Sequence, residues 1–170
     1  MADDSKLKIV VFGSYGAGKS TLITSLDPAS KHVEADCAGG TTTIALDFGR
    51  IIAKNGCHIH IYGTPGQERF DFARDLLAVG MDGAILLVDA TSPPDSFTRR
   101  LSESLHAAKV PFVVFLNKFD GVDANPAVFL GQFGSSEVLQ VSAKDRVKSM
   151  DAVLTFAGTL TPQAHNGHHH

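Results

Sequence analysis

The sequence has little of what marks a secreted, membrane-spanning or nucleic-acid-binding protein. Its two cysteines, Cys37 and Cys57, are too few for a disulfide framework and fit no zinc-binding spacing, which favours reduced thiols and a cytoplasmic location. The formal net charge of -3 and the lack of any block of like charge give no reason to expect a nucleic-acid partner. No apolar run is long enough to span a bilayer.

The terminal segments carry no recognisable targeting signal. Residues 1–8 are polar and lack the apolar stretch of a signal peptide, and Ala2 excludes N-myristoylation at that position. No prenylation box follows at the other end, where residues 165–170 resemble part of a purification tag. The length of 170 residues fits one domain of ordinary size. We therefore expect one domain over residues 1–160, a tail over residues 161–170, and no direct membrane anchor.

Apolar runs alternate with amphipathic stretches along the domain. The apolar runs predict six strands, at residues 7–12, 42–53, 57–62, 84–88, 111–116 and 138–141. The amphipathic stretches predict helices at residues 19–26, 69–79, 96–108, 126–133 and 146–157. Asn55-Gly56 predicts a hairpin turn in which both residues take positive φ. This alternation predicts a three-layer α/β fold with a mostly parallel six-stranded sheet and one antiparallel edge strand.

A glycine-rich segment between the first strand and the first helix is the strongest functional signal. Gly13-Ser14-Tyr15-Gly16-Ala17-Gly18-Lys19-Ser20 matches the pattern GxxxxGK[ST] in the strand-to-helix context that this pattern requires. Its glycines let backbone N–H groups converge on an anion, and the helix N-terminus adds partial positive charge. We expect Lys19 to reach the β- and γ-phosphates of a nucleotide, the Ser20 hydroxyl to ligate Mg²⁺, and Thr21 to complete the phosphate site.

Two motifs that follow later strands predict the base. In Asn117-Lys118-Phe119-Asp120, the Asp120 carboxylate can accept two hydrogen bonds from guanine, whereas adenine would leave it unpaired. Asn117 supplies a second polar contact, and the Lys118 stem can cover a ring face. Both motifs lie at the carboxyl ends of strands, where open α/β sheets bind ligands.

The second of these motifs is Ser142-Ala143-Lys144, which follows the last predicted strand. A small residue at this position lets a backbone N–H approach the carbonyl of the base. Together with the glycine-rich segment, the two motifs predict that the bound ligand is GTP or GDP.

The order of these motifs resembles the Ras-like small GTPase superfamily over residues 8–156. The resemblance implies the G-domain fold of P-loop NTPases, Mg²⁺ as a cofactor and hydrolysis of GTP to GDP. Gly63-Thr64-Pro65-Gly66-Gln67-Glu68-Arg69-Phe70 is similar to switch II. Within it, Gln67 matches the glutamine that orients the attacking water, and Gly66 matches the glycine whose N–H contacts the γ-phosphate.

The segment that resembles switch I is Thr41-Thr42-Thr43-Ile44-Ala45-Leu46-Asp47-Phe48. By this resemblance Thr43 is the best match to the threonine that ligates Mg²⁺ and senses the γ-phosphate. Thr41 and Thr42 compete for that role, and the spacing does not rank the three. The strings TTTIALDFG and GTPGQERF are similar to those of prokaryotic GTPases likened to the signal-recognition-particle receptor β subunit and of Mgl-type GTPases. That subgroup implies a Roadblock-domain regulator or effector.

The sequence departs from the Ras-like pattern at two positions that bear on catalysis. Gly63 replaces the aspartate that steadies Mg²⁺ through water, which predicts metal affinity weakened by roughly ten- to a hundredfold unless Asp36 or Asp47 compensates. Tyr15 replaces a glycine of the phosphate loop, which predicts slow intrinsic hydrolysis and resistance to an arginine finger. A Tyr15 ring turned to solvent would change nothing.

Three functions remain open at this point. The first is a GTP hydrolase that is slow without a partner, which the presence of Gln67 and the threonines favours. The second is a nucleotide-dependent binding module with negligible turnover, because Gly63 and Tyr15 weaken the machinery. The third is a P-loop kinase or ATPase, against which the motif from Asn117 to Asp120 argues.

Overall fold

The computed structural model describes residues 6–13, 17–37, 42–64, 80–89, 96–117 and 137–160. The strands are β1 (Lys6–Phe12), β2 (Lys31–Cys37), β3 (Thr42–Ile52), β4 (His58–Gly63), β5 (Gly83–Asp89), β6 (Phe112–Asn117) and β7 (Glu137–Val141). The helices are α1 (Lys19–Leu26), α2 (Ser96–Ala107) and α3 (Arg146–Gly158). The predicted helices at residues 69–79 and 126–133 lie outside the described residues.

The described strands form one sheet in the order β2-β3-β4-β1-β5-β6-β7. The five strands from β4 to β7 in this order pair in parallel, whereas β3 runs antiparallel to both β4 and β2. The mostly parallel α/β sheet predicted from the sequence is therefore confirmed. The strand order reverses at β1, so the crevice at the carboxyl ends of β1 and β5 is the place where such sheets bind ligands.

The described sheet has seven strands rather than the predicted six, and the antiparallel strand β3 is not at its edge. The additional strand β2 pairs with β3, with Val33 opposite Leu46. β2 gives no clear strand signal in the sequence because its few apolar residues are separated by polar ones, among them His32 and Glu34, which are exposed. Charged and polar side chains are typical of edge strands, since they discourage pairing with another chain.

Helices cover both faces of the sheet, which gives three layers. On one face, α1 and α3 pack on alternate residues of β1 and β4. The strands contribute Leu7, Ile9, Val11, Ile59 and Ile61, and the helices contribute Leu22, Ile23, Leu26, Val153 and Phe156. On the other face, α2 contributes Leu101 and Leu105 to a cluster with Val10 and Phe12 of β1. Each fully buried aliphatic or aromatic side chain contributes about 1.5–3 kcal/mol, so the strand that leads into the glycine-rich segment is firmly held.

The hairpin between β3 and β4 forms where Asn55-Gly56 predicted it, but with a different turn. Only Gly56 has a positive φ, of 88°. Its N–H donates to the carbonyl of Ala53, and the Ala53 N–H donates to the carbonyl of Cys57, both at 2.9 Å. Asn55 instead accepts a hydrogen bond from the Cys57 N–H on its Oδ1, at 3.0 Å. The prediction that both residues take positive φ is therefore wrong, because a longer loop lets Gly56 alone supply the left-handed residue.

The three described helices agree closely with their predicted ranges. The N-terminus of α3 is capped by Asp145, whose Oδ1 accepts a hydrogen bond from the Lys148 N–H at 3.1 Å. Of the helices that the structure describes, none is long and apolar enough to cross a membrane.

Candidate nucleotide-binding site

Three predicted site segments meet at the carboxyl edge of the sheet. Gly13 directly follows β1, Asn117 is the last residue of β6, and Ser142 directly follows β7. Because these strands are parallel, their carboxyl ends open on the same edge, next to the N-terminus of α1. The structure thus brings together the phosphate loop and both base-recognition motifs as far as it describes them.

Two glycines of the phosphate loop are required by close packing. A Cβ on Gly13 would lie 2.5 Å from the carbonyl oxygen of Leu87 in β5. Gly18 has a φ of 103°, and a Cβ there would lie 2.5 Å from Asn117 Nδ2. The sequence predicted these glycines from anion binding, and the structure adds that neighbouring strands leave no room for a side chain.

Lys19 is buried although it carries an ammonium group. Its side chain is 6% exposed, and its Nζ donates a hydrogen bond to the carbonyl of Gly13. The lysine therefore folds back over the loop that precedes it. This position, at the start of α1, is the one expected for a lysine that contacts phosphate.

Asn117 ties the phosphate loop to the motif that follows β7. It is 3% exposed, its Nδ2 donates to the carbonyl of Ala17, and its Oδ1 accepts from the Ala143 N–H, both at 2.9 Å. In the structure, both polar atoms of the Asn117 amide bond to backbone atoms of the protein. Asn117 holds two loops at a fixed separation, and direct base contact by Asn117 or Ala143 stays a prediction.

Ser20, Thr21 and Lys144 line one open cleft beside α1. The cleft has a volume of about 370 Å³ and is completed by Thr24 and Ser25. Ser25 Oγ donates to the carbonyl of Ala143 at 2.6 Å, which fixes α1 against the loop after β7. Three residues predicted for phosphate, metal and base contacts are therefore neighbours.

The Ser20 hydroxyl contacts a residue of β3. Its Oγ donates to Asp47 Oδ2 at 2.6 Å, and Asp47 Oδ1 lies 2.6 Å from His32 Nδ1. The sequence identifies Asp47 only as one of two candidates to replace the missing aspartate at position 63. His32 gave no sequence signal, because β2 was not predicted.

Thr43 lies in β3 and pairs with Asp36 of β2. It precedes Asp47 by four residues, which is about 13 Å along an extended strand. The backbone therefore does not bring Thr43 to Ser20 in the observed arrangement. The side chain of Thr43 lies outside the described part of the chain, so its role as a metal ligand stays a prediction.

The remaining predicted site residues lie outside the described residues, and their roles stay predictions. They are Ser14, Tyr15, Gly16, Gly66, Gln67, Lys118 and Asp120.

Two side chains of β4 have pKa values displaced from their ordinary values. The pKa of His60 is lowered below 6.5, chiefly by burial. The nearby charges of Lys6 and Arg50 and the neighbouring His58 lower it further. Burial raises the pKa of Tyr62 above 10.0. Both rings contact Phe48 of β3, at centroid distances of 5.4 and 5.0 Å. This cluster belongs to the packing of the sheet, so its protonation bears on folding.

The chain is similar to known proteins over nearly its whole length. Residues 4–157 match the family model described as the Elongation factor Tu GTP binding domain. An uncharacterized protein of Methanocaldococcus jannaschii is 36% identical over 115 residues, which are 68% of this chain and 71% of that protein. Translation initiation factor IF-2 of Allorhizobium ampelinum is 33% identical over 174 residues, covering 92% of this chain and 18% of the factor. The chain thus spans about a fifth of the length of such initiation factors.

Solved structures of the same fold include two G domains. The G domain of the T. maritima FeoB iron transporter has a TM-score of 0.65 at 22% identity, over 89% of this chain and 99% of that one. Translation elongation factor SelB from Methanococcus maripaludis, in complex with the GTP analogue GppNHp, has a TM-score of 0.67 at 19% identity, over 96% of this chain and 36% of that one. At these identities the likeness shows the fold alone.

The finer resemblance to the Ras-like superfamily, and to the Mgl-type subgroup within it, stays a prediction. The wider class follows from the family match, which covers most of the chain, and from the P-loop fold that the described residues share with both G domains. This protein belongs to the family of the Elongation factor Tu GTP binding domain, and it has the three-layer α/β fold of a P-loop G domain.

Proposed function

We propose that this protein is a guanine-nucleotide switch, which binds GTP and GDP and hydrolyses GTP to GDP with Mg²⁺. The observation that carries the proposal is the Lys19 ammonium, which is 6% exposed beside the carbonyl of Gly13. A nucleotide on this loop would place its β- and γ-phosphates within reach of that ammonium.

The start of α1 supports anion binding for an independent reason. The first N–H groups of a helix have no partner within the helix and carry its partial positive charge. The N-cap is Gly18, which has no side chain with which to cap them, and the fully described first turn of α1 contains no acidic residue. A phosphate group is therefore the natural partner of these N–H groups.

The oxygen atoms near Ser20 fit Mg²⁺. This ion prefers oxygen ligands and keeps several of its waters. A hydroxyl has one proton and two lone pairs. Ser20 donates its O–H in a hydrogen bond to Asp47, so its lone pairs are left for a cation. Mg²⁺ held there would supply positive charge that offsets the charge on the phosphate oxygens. Thr43 is the second proposed ligand, and its participation requires the start of β3 to move from its observed place.

Guanine recognition is proposed to rest on Asp120, Lys118 and the loop from Ser142 to Lys144. Asn117 joins the phosphate loop to the loop after β7, because its amide is bonded to both. A desolvated Asp120 carboxylate that faced adenine would lose two hydrogen bonds. The loss of such bonds to a charged group disfavours ATP by roughly a hundredfold.

Hydrolysis is proposed to use Gln67 to orient the attacking water, with Lys19 and Thr43 organising the phosphates. Tyr15 and Gly63 are proposed to make this reaction slow without a partner.

The alternative is a nucleotide-dependent binding module with negligible turnover, which the absence of the family carboxylate at Gly63 favours. A Roadblock-domain protein is the proposed regulator or effector, on the resemblance of the switch-like strings alone. We also propose that the protein acts in the cytoplasm and that residues 1–160 form one domain.

Competition between nucleotides tests the binding part of this proposal. A fluorescent GDP analogue bound to the protein is displaced with GTP, GDP or ATP. We expect GTP and GDP to compete at concentrations roughly a hundredfold below that of ATP. Lys19→Ala should weaken binding of all three, whereas Lys148→Ala, which removes an exposed lysine of α3, should leave it unchanged. Tighter binding of ATP than of GTP would identify a P-loop kinase or ATPase and contradict the proposal.

A further inference from the structure

Gly63 occupies the position at which the Ras-like GTPases that this sequence resembles have an aspartate that steadies Mg²⁺. The carboxylate is therefore either missing here or supplied by another residue. In the sheet, Gly63 of β4 pairs directly with Asp47 of β3. A Cβ on Gly63 would lie 3.5 Å from Asp47 Cβ and 3.8 Å from Asp47 Oδ2. The Asp47 carboxylate therefore lies next to the space that a side chain at position 63 would enter.

The same carboxylate contacts the predicted metal ligand. Ser20 Oγ donates to Asp47 Oδ2 at 2.6 Å, a short distance typical of a hydrogen bond to an ionised acceptor. This bond fixes the Ser20 proton on the side of β3, so the lone pairs of the oxygen face away from it. Partners that orient a metal ligand in this way raise metal affinity by roughly ten- to a hundredfold.

We propose that Asp47 replaces the missing aspartate of position 63, as the positioning residue that orients the Ser20 hydroxyl for Mg²⁺. This inference rests on the proposed Mg²⁺-dependent binding of guanine nucleotide. It distinguishes Asp47 from Asp36, the other candidate that the sequence offered. Asp36 pairs with Thr43, which precedes Asp47, the partner of Gly63, by four residues, or about 13 Å along β3.

His32 holds the other oxygen of Asp47. Its Nδ1 lies 2.6 Å from Oδ1, so each carboxylate oxygen has one contact. The Asp47 side chain is 17% exposed and that of His32 is 85% exposed. A contact with so exposed a partner contributes little to stability on its own. We assign His32 the role of restraining rotation of the Asp47 carboxylate, and the role of Asp47 itself follows from its bond to Ser20.

The packing around Gly63 bears on whether a side chain fits at position 63. A Cβ on Gly63 would lie 2.5 Å from Cδ1 of Ile23, a buried residue of α1. Aspartate at position 63 therefore requires Ile23 to give way. Valine at position 23 lacks that Cδ1 atom, which makes the exchange testable.

The release of a fluorescent GDP analogue at graded Mg²⁺ concentrations tests the inference without relying on hydrolysis. We expect Asp47→Asn to raise the Mg²⁺ concentration that half-maximally slows release by roughly ten- to a hundredfold. Release in EDTA should be unchanged, because the nucleotide contacts are intact. Asp47→Ser is a second variant with a neutral acceptor and the same expected shift. Asp151→Asn, the same change at an exposed position of α3, is the control and should match wild type.

Rescue from the family position completes the test. Asp47→Asn combined with Gly63→Asp and Ile23→Val should return the Mg²⁺ midpoint to within a few-fold of wild type. An unchanged midpoint in Asp47→Asn and Asp47→Ser overturns the inference. So does a triple variant that folds, as judged by thermal unfolding and release in EDTA, but is not rescued. Wild-type protein that fails to bind GDP at all would instead contradict the proposed function, so the two failures are distinguishable.

Discussion

Asn117 holds Ala17 of the phosphate loop through a hydrogen bond of 2.9 Å from Nδ2 to the Ala17 carbonyl. The other end of the same amide accepts from the Ala143 N–H at 2.9 Å. One buried side chain thus sets the distance between the loop that would hold phosphates and the loop that would hold the base. A nucleotide that spans both loops depends on this distance.

We predict that Asn117→Asp weakens both folding and nucleotide binding. The substitution replaces a donor that faces the Ala17 carbonyl by an oxygen, so that two acceptors meet in a buried site. The free energy of unfolding should fall by about 1–3 kcal/mol, measured by chemical denaturation. Asn55→Asp is the matched control, because Asn55 uses only its acceptor oxygen, toward Cys57. Equal stability of the two variants would refute the role assigned to Asn117.

Gly18→Ala should destabilise the protein through both backbone conformation and packing. The φ of 103° costs about 1–2 kcal/mol for an L-residue, and the new Cβ would lie 2.5 Å from Asn117 Nδ2. Gly80→Ala provides the comparison, since Gly80 has a φ of 94° but no atom within 4 Å of its added Cβ. The larger loss of unfolding free energy in Gly18→Ala measures the packing part. A loss no greater than that of Gly80→Ala would mean that the loop relaxes away from Asn117.

His60 should make the protein less stable as the pH falls. Burial and the nearby positive charges of Lys6 and Arg50 lower the pKa of His60 below its ordinary value of 6.5. The unfolded chain therefore binds a proton more readily than the folded one, and unfolding free energy rises with pH through the window below 6.5. We expect His60→Gln to flatten this dependence in denaturation series as the pH falls below 6.5. An unchanged slope would contradict the assignment.

Tyr15→Gly should speed hydrolysis if the tyrosine ring crowds the phosphates. Glycine occupies this loop position in the Ras-like pattern, and it leaves space for an arginine finger from a partner. Such a finger contributes roughly 10³–10⁵ in rate, so the effect should be largest with the native partner present. Turnover equal to wild type, with and without that partner, would mean that the ring faces solvent.

The sequence was sufficient to predict the central strands and the phosphate loop. The continuous apolar run of β5 and the pattern around Lys19 are local signals that need no knowledge of the fold. The edge strand β2 was missed because it packs on one side only and carries exposed residues such as His32. The turn at Gly56 was placed correctly, but its type depends on loop length.

In the candidate site, too, the local sequence motifs could be recognised, whereas the contacts between residues far apart in the chain could not be predicted. The motif that contains Asn117 was recognised, yet the structural use of its amide depends on Ala17, 100 residues earlier in the chain. Likewise, the contact of Asp47 with Ser20 joins residues 27 positions apart on different elements. Patterns along the chain identify residue types, whereas the pairing of strands decides which of them meet.

The central claim is that this G domain binds GTP and converts it to GDP. The most direct measurement is single-turnover release of phosphate from pre-bound GTP in the presence of Mg²⁺, compared with the buffer rate and with Gln67→Leu. We predict slow release above the buffer rate that falls when Gln67 is replaced, because its amide no longer orients the attacking water. Release no faster than in buffer would contradict the account and leave a nucleotide-dependent binding module in its place.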